Sequence, residues 1–180
     1  MASRWIDFVK TQKKLLIEIR TKSALFSLIK KMIPHENVLL SWTLSPEKIA
    51  EEFESTAPPF NSRLKSAKEA VEAGWAVRLC FDPIILFDGW FEIYSQFLHE
   101  VFREINPSKV RDVTLGVFRM NKDFYKRIKK REPTSTLFYD NYEIKDGVVS
   151  IGKKERTESL EKLEELLSKY LPKSKILIWK

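Results

Sequence analysis

Short apolar segments alternate with amphipathic segments over the first two thirds of this 180-residue chain. The apolar segments have the length and residue types of strands, whereas the amphipathic segments repeat their apolar side chains at helical spacing. This order favours an α/β fold, in which parallel strands form one sheet and helices pack outside it. Strands are predicted at residues 15–21, 38–43, 75–81 and 113–118, and helices at 3–13, 24–32, 60–73 and 90–105.

Local signals mark the ends of several of these elements. Ser45-Pro46-Glu47 is typical of a helix start, with a hydroxyl cap, a proline at the first position and an acid that suits the helix dipole. Gly74 is placed to end the helix that precedes it. Pro83 is expected to break the third strand, because proline has no N–H to give to a sheet.

Four polar residues follow or end the predicted strands. They are Lys22, Thr43, Asp82 and Arg119. In parallel α/β folds the ligand lies at the carboxyl ends of the strands. The sequence therefore predicts that these four side chains share one rim of the sheet.

A strongly basic segment follows the last predicted strand of the alternating region. It carries seven cations against the single acid Asp123, and Phe124 and Tyr125 lie between them. Cations neutralise phosphates and aromatic rings stack on unpaired bases, so the segment favours nucleic-acid binding over a merely solvated helix face. The cations are Arg119, Lys122, Lys126, Arg127, Lys129, Lys130 and Arg131.

The remaining residues predict a hairpin, a helix and a last strand. Lys145-Asp146-Gly147 joins two alternating segments, and Asp-Gly is a strong hairpin signal. No flexible linker separates this region from the rest, so one domain over residues 1–180 is expected. The two strands of the hairpin are predicted at 136–144 and 148–152, the helix at 157–170 and the last strand at 175–179.

Composition excludes several classes of protein. One cysteine and two histidines cannot supply a four-ligand zinc site without many carboxylates, and no disulfide can form within the chain. No signal peptide and no apolar run of about 20 residues is present, so we expect a cytoplasmic protein that does not cross a membrane. A net charge of +7 and a pI near 9.4 favour a polyanionic partner such as DNA or another nucleic acid.

A set of short motifs, in order, resembles a known family. Each motif is short, but the order and spacing are shared with the C-terminal half of the spore photoproduct lyase family, the radical-SAM DNA repair photolyases. The motifs are Arg20-Thr21-Lys22-Ser23-Ala24, Ser41-Trp42-Thr43-Leu44-Ser45-Pro46, Glu54-Ser55-Thr56, Ser62-Arg63-Leu64, Ala73-Gly74-Trp75, Phe81-Asp82-Pro83-Ile84-Ile85, Asp88-Gly89-Trp90 and Leu115-Gly116-Val117-Phe118-Arg119.

The resemblance implies a partial TIM-like radical-SAM barrel over residues 1–119, with parallel strands and outer helices. Residues 120–180 would add the basic helix, a β-hairpin and a C-terminal helix and strand. Family members carry a CxxxCxxC loop in the half that this chain does not match, and here the only cysteine is Cys80. A [4Fe–4S] cluster would therefore need a second chain, because three thiolates cannot come from one cysteine.

The resemblance also implies part of an S-adenosylmethionine pocket. Lys22 would pair with the carboxylate of the cofactor, and Thr43 would contact its methionyl group. Arg63 would reach the ribose or a carboxylate, or else pair with Glu54 as scaffold. Ile84 would offer an apolar contact to the adenine. No residue is assigned as catalytic or as a metal ligand, and Cys80 is expected to be a small buried side chain.

A hairpin in the resembling lyases enters damaged duplex DNA, and the hairpin around Asp146 is its counterpart by position. Tyr142, Ile144, Val148 and Val149 would then act as an apolar wedge. The same side chains could instead pack against the sheet.

Two functions are consistent with these residues. In the first, the chain is the C-terminal subunit of a split radical-SAM lyase, inactive alone and completed by a chain that carries CxxxCxxC. In the second, it is a non-enzymatic nucleic-acid-binding remnant of the family, for which a homodimer is possible. Because Lys22 and Thr43 are both kept, the sequence favours the first.

Overall fold

The computed structural model describes residues 2–12 and 14–179, so Met1, Lys13 and Lys180 lie outside the described residues. The described residues contain eight strands and six α-helices, and over the first four strands the order of strands and helices is that of an α/β protein. The strands are β1 (Ile17–Thr21), β2 (Val38–Thr43), β3 (Ala76–Ile84), β4 (Asp112–Val117), β5 (Arg119–Asn121), β6 (Tyr142–Lys145), β7 (Val148–Ile151) and β8 (Ile176–Trp179). The helices are α1 (Ala2–Lys10), α2 (Glu47–Phe53), α3 (Phe60–Glu72), α4 (Trp90–Glu104), α5 (Lys122–Arg131) and α6 (Lys153–Leu167).

Five strands form one parallel sheet in the order β1-β2-β3-β4-β8, which confirms the α/β prediction. The first four strands are neighbours both in sequence and in space. The last strand, whose place the sequence did not predict, pairs with β4. All five carboxyl ends therefore meet at one rim.

The two faces of this sheet differ in polarity. Side chains alternate between the faces along each strand. The face that bears Leu40, Leu79 and Val113 packs against α1, α3, α4 and α6 and forms the main core. The opposite face carries Glu18, Arg20, Ser41, Thr43, Arg78, Cys80, Asp82, Asp112 and Thr114.

The predicted helix at residues 24–32 is wrong, because only Phe26–Leu28 forms a short 3₁₀ helix. The Thr21 hydroxyl accepts a hydrogen bond from the Ser23 backbone N–H, and the Ser23 hydroxyl accepts one from the Leu25 N–H. Such local side-chain bonds compete with helix formation.

Pro83 does not break β3 as expected, and the strand continues to Ile84. The pairing with β2 ends at Cys80, and the register with β4 shifts between Phe81 and Ile84. No ladder hydrogen bond is therefore required from the Pro83 nitrogen, and the proline is tolerated.

A second, antiparallel sheet has the order β5-β7-β6. The predicted hairpin is present between β6 and β7, and it turns at Asp146 and Gly147. Its first strand begins at Tyr142 and not at residue 136 as predicted, because Thr136–Phe138 forms a 3₁₀ helix. Both residues have positive φ, 50° and 77°, as the favoured two-residue hairpin turn requires. The basic helix α5 begins beside this sheet, where the Asn121 side chain accepts hydrogen bonds from the first backbone N–H groups.

No helix in the described residues is long and apolar enough to cross a membrane. Among the described residues, seven exposed large apolar side chains lie in the first 33 positions: Trp5, Phe8, Leu15, Leu16, Leu25, Leu28 and Ile33. Leu15 and Leu16 directly precede β1, and Leu25 and Leu28 line a small cavity with Ile19 and Thr21 of that strand.

Replacing Tyr94 by Phe tests how the chain is held after β3. The Ile85 backbone N–H donates to the Tyr94 hydroxyl at 2.9 Å, and Tyr94 is buried. Tyr94→Phe leaves this N–H without a partner, so we expect the free energy of unfolding to fall by about 1–3 kcal/mol. Urea unfolding measures it, with Tyr139→Phe at an exposed tyrosine as the control. An equal effect of both substitutions would contradict the role of the buried hydrogen bond.

Candidate functional site

The Glu54 carboxylate joins three elements at the rim. Lys22, just after β1, places its Nζ 2.7 Å from Glu54 Oε1. The Ser45 hydroxyl, after β2, donates to the same oxygen at 2.8 Å, and Arg63 Nη1 of α3 lies 2.6 Å from Oε2. Arg63 Nη1 also donates to the Thr43 carbonyl at 3.3 Å. One carboxylate therefore fixes the ends of β1 and β2 to α3.

Glu54 is ionised in this cluster. Burial raises its pKa, but the hydrogen bonds from Lys22 and Ser45 and the charges of Lys22 and Arg63 outweigh burial, and the pKa lies below its ordinary value. Arg63 is fully buried, and in the described part of the chain its Nε and Nη2 have no hydrogen-bond partner. Of the two interpretations of Arg63, the structure shows the pair with Glu54.

The Ser45 hydroxyl does not cap α2 as expected. The helix does begin at Glu47, but no side-chain cap hydrogen bond is present at its start. The hydroxyl binds Glu54 instead. A charge-assisted bond to a buried carboxylate is stronger than a bond to a backbone N–H, which explains the choice.

Lys22 remains reachable from solvent. Its side chain is 39% exposed, and Glu54 is its only ion-pair partner in the described residues. An ammonium has three donors, so the bond to Glu54 leaves donors for a ligand. The predicted cofactor contact of Lys22 is compatible with this geometry and stays a prediction.

Thr43 lies beside a second ionic cluster at the same rim. Its hydroxyl accepts from Arg20 Nε at 3.3 Å, and Arg20 Nη2 reaches Asp82. Arg119 contacts the same Asp82 carboxylate from the other side. The four rim residues predicted from the sequence thus form two neighbouring clusters, one centred on Glu54 and one on Asp82.

Ile84 has no surface to offer to a ligand. Its side chain is only 1% exposed and belongs to the main core. The predicted adenine contact of Ile84 therefore has no exposed surface in this structure. The residues just after it, Ile85 to Asp88, line an open cleft instead.

That cleft, of about 470 Å³, lies between α2, the segment after β3 and the segment before β6. Four aromatic side chains line the cleft: Phe53, Phe87, Tyr139 and Tyr142. The Lys48 ammonium lies over the Phe87 ring. Sequence reasoning missed it, because its walls come from three segments that are far apart in the chain.

The basic segment is divided by the fold. Lys126, Arg127, Lys130 and Arg131 are exposed on α5, and Lys122 is partly exposed. Lys129 donates to the Phe138 carbonyl at 2.7 Å and lies over the Tyr139 ring, so its ammonium is engaged within the molecule. Arg119 is held at the rim by Asp82, away from the helix.

Tyr142 packs inward rather than standing free on the hairpin. Its ring contacts those of Phe118 and Tyr125, and burial raises its pKa. Ile144 and Val148 are exposed near the turn. Of the four side chains predicted for the wedge, Ile144 and Val148 are therefore exposed at the tip of the hairpin, whereas Tyr142 packs inward and Val149 is buried.

Cys80 is buried as expected, and burial raises the pKa of its thiol. Its side chain lies on the polar face of the sheet, between Thr43 of β2 and Thr114 of β4 in the strand register. The apolar sequence around it gave no sign of this position.

The model of the spore photoproduct lyase family matches residues 3–179. The chain belongs to the spore photoproduct lyase family. It is 24% identical over 144 residues to the spore photoproduct lyase of Geobacillus sp. (strain Y412MC61) and 28% identical over 144 residues to that of Bacillus subtilis (strain 168). In each case the match covers 75% of this chain and 42% of the relative.

Solved structures of spore photoproduct lyase share the fold. A mutant with bound AdoMet and dinucleoside spore photoproduct matches with a TM-score of 0.85 at 18% identity, and the match covers 98% of this chain and 54% of that chain. A complex with dinucleoside spore photoproduct matches with a TM-score of 0.83. The chain thus spans about half the length of the relatives that it matches, which agrees with the resemblance to one half of the family.

Glu54→Gln tests the cluster that holds Lys22. The substitution leaves the Arg63 guanidinium buried without its counter-charge, so we expect the free energy of unfolding at pH 7 to fall by about 3 kcal/mol. Chemical denaturation of both proteins measures the loss. Glu51→Gln, at an exposed position of α2, is the matched control and should change little.

The same comparison gives a pH dependence. Because the folded-state pKa of Glu54 is lowered, its ionised form stabilises the native state above about pH 4.5, and this stabilisation disappears as the pH falls through the lowered value. The difference between the wild type and Glu54→Gln should therefore shrink below pH 4.5. A difference that is constant from pH 7 to 3 would show that Glu54 acts by shape rather than by charge.

Proposed function

We propose that this chain is the C-terminal subunit of a split radical-SAM lyase of the DNA-repair type. It contributes part of an S-adenosylmethionine pocket and a nucleic-acid-binding face. A second chain with CxxxCxxC supplies the [4Fe–4S] cluster and the remaining strands of a barrel. The observation that carries the proposal is the family match over almost the whole chain but only about half of its relatives.

The free edge of β1 supports a partner at that position. Within the described residues β1 pairs only with β2, so its other side presents unpaired backbone groups. Such an edge invites another strand. The exposed apolar side chains beside it, including Leu25 and Leu28, give a partner apolar surface to bury. Without a partner these groups would stay in water at a cost in free energy.

The residues present fit the cofactor in part. Lys22 has free donors for a carboxylate, and the Thr43 hydroxyl lies beside it at the carboxyl end of β2. A solved relative bears AdoMet, which supports the same ligand here. S-adenosylmethionine and a reduced [4Fe–4S] cluster together supply radical chemistry. The role of this chain is to hold and orient the cofactor through Lys22, whose ammonium is fixed by Glu54, and Glu54 in turn accepts a hydrogen bond from Ser45.

The exposed cations of α5 form the proposed nucleic-acid face. They stand on one short helix that begins directly after β5, whose first residue Arg119 reaches the rim. A strand bound along α5 would thus pass towards the pocket. Phe124 is exposed beside them and could stack on a base.

The second candidate is a nucleic-acid-binding protein without chemistry, alone or as a homodimer. The observation that favours it is the ion-pair network on the polar face of the sheet. Arg78 pairs with both Glu18 and Asp112, which joins β1, β3 and β4 through side chains alone. A face that is already neutralised in this way does not require a cofactor.

Anaerobic affinity purification from the source cells separates the two candidates. A stoichiometric partner with CxxxCxxC and a brown iron–sulfur chromophore would establish the split lyase. A colourless chain that is alone or self-associated and carries nucleic acid would establish the second candidate. The cytoplasmic location proposed from the sequence can be checked in the same cells by fractionation.

Lys22→Ala should abolish the contribution of this chain to cofactor binding. In the complex with the cluster-bearing partner, we expect the Kd for S-adenosylmethionine to rise at least about tenfold, since a charge-assisted pair is lost. Isothermal titration calorimetry measures it. Lys30→Ala removes a comparable ion-paired lysine, bound to Glu69, and should leave the Kd unchanged.

Charge reversal on α5 should remove nucleic-acid binding. We expect the triple variant Lys126→Glu, Arg127→Glu, Lys130→Glu to weaken binding of an oligonucleotide at least about a hundredfold and to flatten its salt dependence. Fluorescence anisotropy at several salt concentrations measures both. Lys153→Glu, Lys154→Glu, Lys162→Glu makes the same charge change on exposed positions of α6 and is the control. Similar losses in both variants would mean that only net charge matters.

A further inference from the structure

Two arginines converge on one carboxylate at the rim of the sheet. Arg20, on β1, places Nη2 3.4 Å from Asp82 Oδ2 and donates to the Asp82 carbonyl at 3.2 Å. Arg119, beyond β4, places Nη1 3.0 Å from Oδ1 and Nη2 3.3 Å from Oδ2. Asp82 itself lies on β3, between them. We call these three residues the arginine pair and its aspartate.

The chain makes room for this arrangement at Gly116. A Cβ on Gly116 would lie 2.6 Å from Arg119 Nη1 and 2.9 Å from Asp82 Oδ1, so it could be added only if these two side chains moved. Its backbone has no positive φ that would itself demand glycine. Space for the Arg119–Asp82 contact is therefore the structural reason for glycine at this position.

The cluster keeps unused capacity for an anion. The aspartate side chain is only 10% exposed, whereas those of Arg20 and Arg119 are 42% and 35% exposed. In the part of the chain that the structure describes, Arg20 Nη1 and Arg119 Nε have no hydrogen-bond partner. Two cations on one anion leave a local charge of +1.

We propose that the arginine pair and its aspartate form a binding site for one phosphodiester group of a nucleic-acid strand. A singly charged phosphodiester would neutralise the cluster, and its oxygens match the planar donors of guanidinium groups. Asp82 acts as the positioning residue that holds both guanidinium groups in place. The site lies at the ligand end of the sheet, three residues before the basic helix α5.

The inference rests on the nucleic-acid binding of the proposed function and locates one contact of that binding. The exposed cations of α5 would attract the nucleic-acid strand by charge alone. The arginine pair would instead fix the position of one backbone phosphate at the rim that carries Thr43 and Lys22. Binding at the pair should therefore depend on the shape of the guanidinium groups and not only on their charge.

Variants that preserve charge test this dependence. Arg20→Lys and Arg119→Lys keep the charge but lose the planar fork, and we expect each to weaken binding of a single-stranded oligonucleotide of about 12 nucleotides by about tenfold. Gly116→Ala changes no charge and should have a similar effect, because its methyl group displaces the Arg119–Asp82 contact. Arg103→Lys, an exposed arginine of α4, and Gly152→Ala, where the added Cβ meets only the end of the Glu143 side chain, are the controls.

An oligonucleotide with one neutral methylphosphonate linkage, moved along the strand, identifies the phosphate. We expect one linkage position to weaken binding to the wild-type chain about tenfold and to have no further effect in Arg119→Lys. Circular dichroism measures whether each variant is folded. If Gly116→Ala does not fold, Arg20→Lys and Arg119→Lys alone test the phosphodiester site. Competition by inorganic phosphate should require millimolar or higher concentrations, because a free ion lacks the contacts of the strand with α5.

The outcomes distinguish this inference from the proposed function. If the α5 reversal abolishes binding while the lysine variants and Gly116→Ala bind as the wild type does, the phosphodiester site is rejected and the nucleic-acid face stands. If Arg20→Lys and Arg119→Lys both weaken the binding of inorganic phosphate but bind the oligonucleotide as the wild type does, the site binds free phosphate and not a phosphodiester. The inference is then also rejected. If the wild type binds no oligonucleotide, both are rejected.

Discussion

Parallel pairing of the five strands is the constraint on which the rest of the molecule depends. It requires a crossover after each strand, and these crossovers cover one face of the sheet with helices and bury the main core there. It also brings every carboxyl end to the same rim. Lys22, Thr43, Asp82 and Arg119 are far apart in sequence, and only this pairing brings them together.

The uncovered polar face is held by charges rather than by apolar packing. At the rim of that face Glu54, with its pKa lowered, supplies the counter-charge of the buried Arg63 and binds Lys22, and Asp82 binds two further arginines. Buried ion pairs of this kind contribute less to net stability than to a unique arrangement of the groups that they join. Here that arrangement presents cations at the carboxyl ends of the strands.

The edge of β1 connects the fold to the proposed function. Membership of the spore photoproduct lyase family comes with a match to only about half of its solved relatives. For the residues that the structure describes, the sheet ends at β1 with exposed apolar side chains such as Leu25 and Leu28 beside it, and this edge is the physical counterpart of that partial match. The same surface would serve either a cluster-bearing partner or a second copy of the chain, and the purification experiment distinguishes them.

The sequence by itself determined the elements that local chemistry controls. Apolar periodicity predicted the first four strands and most of the helices, Asp146-Gly147 predicted the hairpin, and the order of short motifs predicted the family. Where several local signals compete, sequence reasoning was wrong: hydroxyl turns replaced the helix at 24–32, the Ser45 hydroxyl bound Glu54 instead of capping α2, and β3 continued past Pro83.

Only the tertiary structure decided which polar residues meet. The alternation of Glu18 and Arg20 along β1 was visible in the sequence, but their partners on β3 lie about 60 residues away. It also decided that two cations of the basic segment contact other parts of the fold, since Lys129 binds the Phe138 carbonyl and Arg119 binds Asp82. The physical reason is that the periodicity of a strand shows which face of the sheet a side chain occupies. Which side chains of other strands it meets on that face depends on strand order and register, and no local pattern contains these.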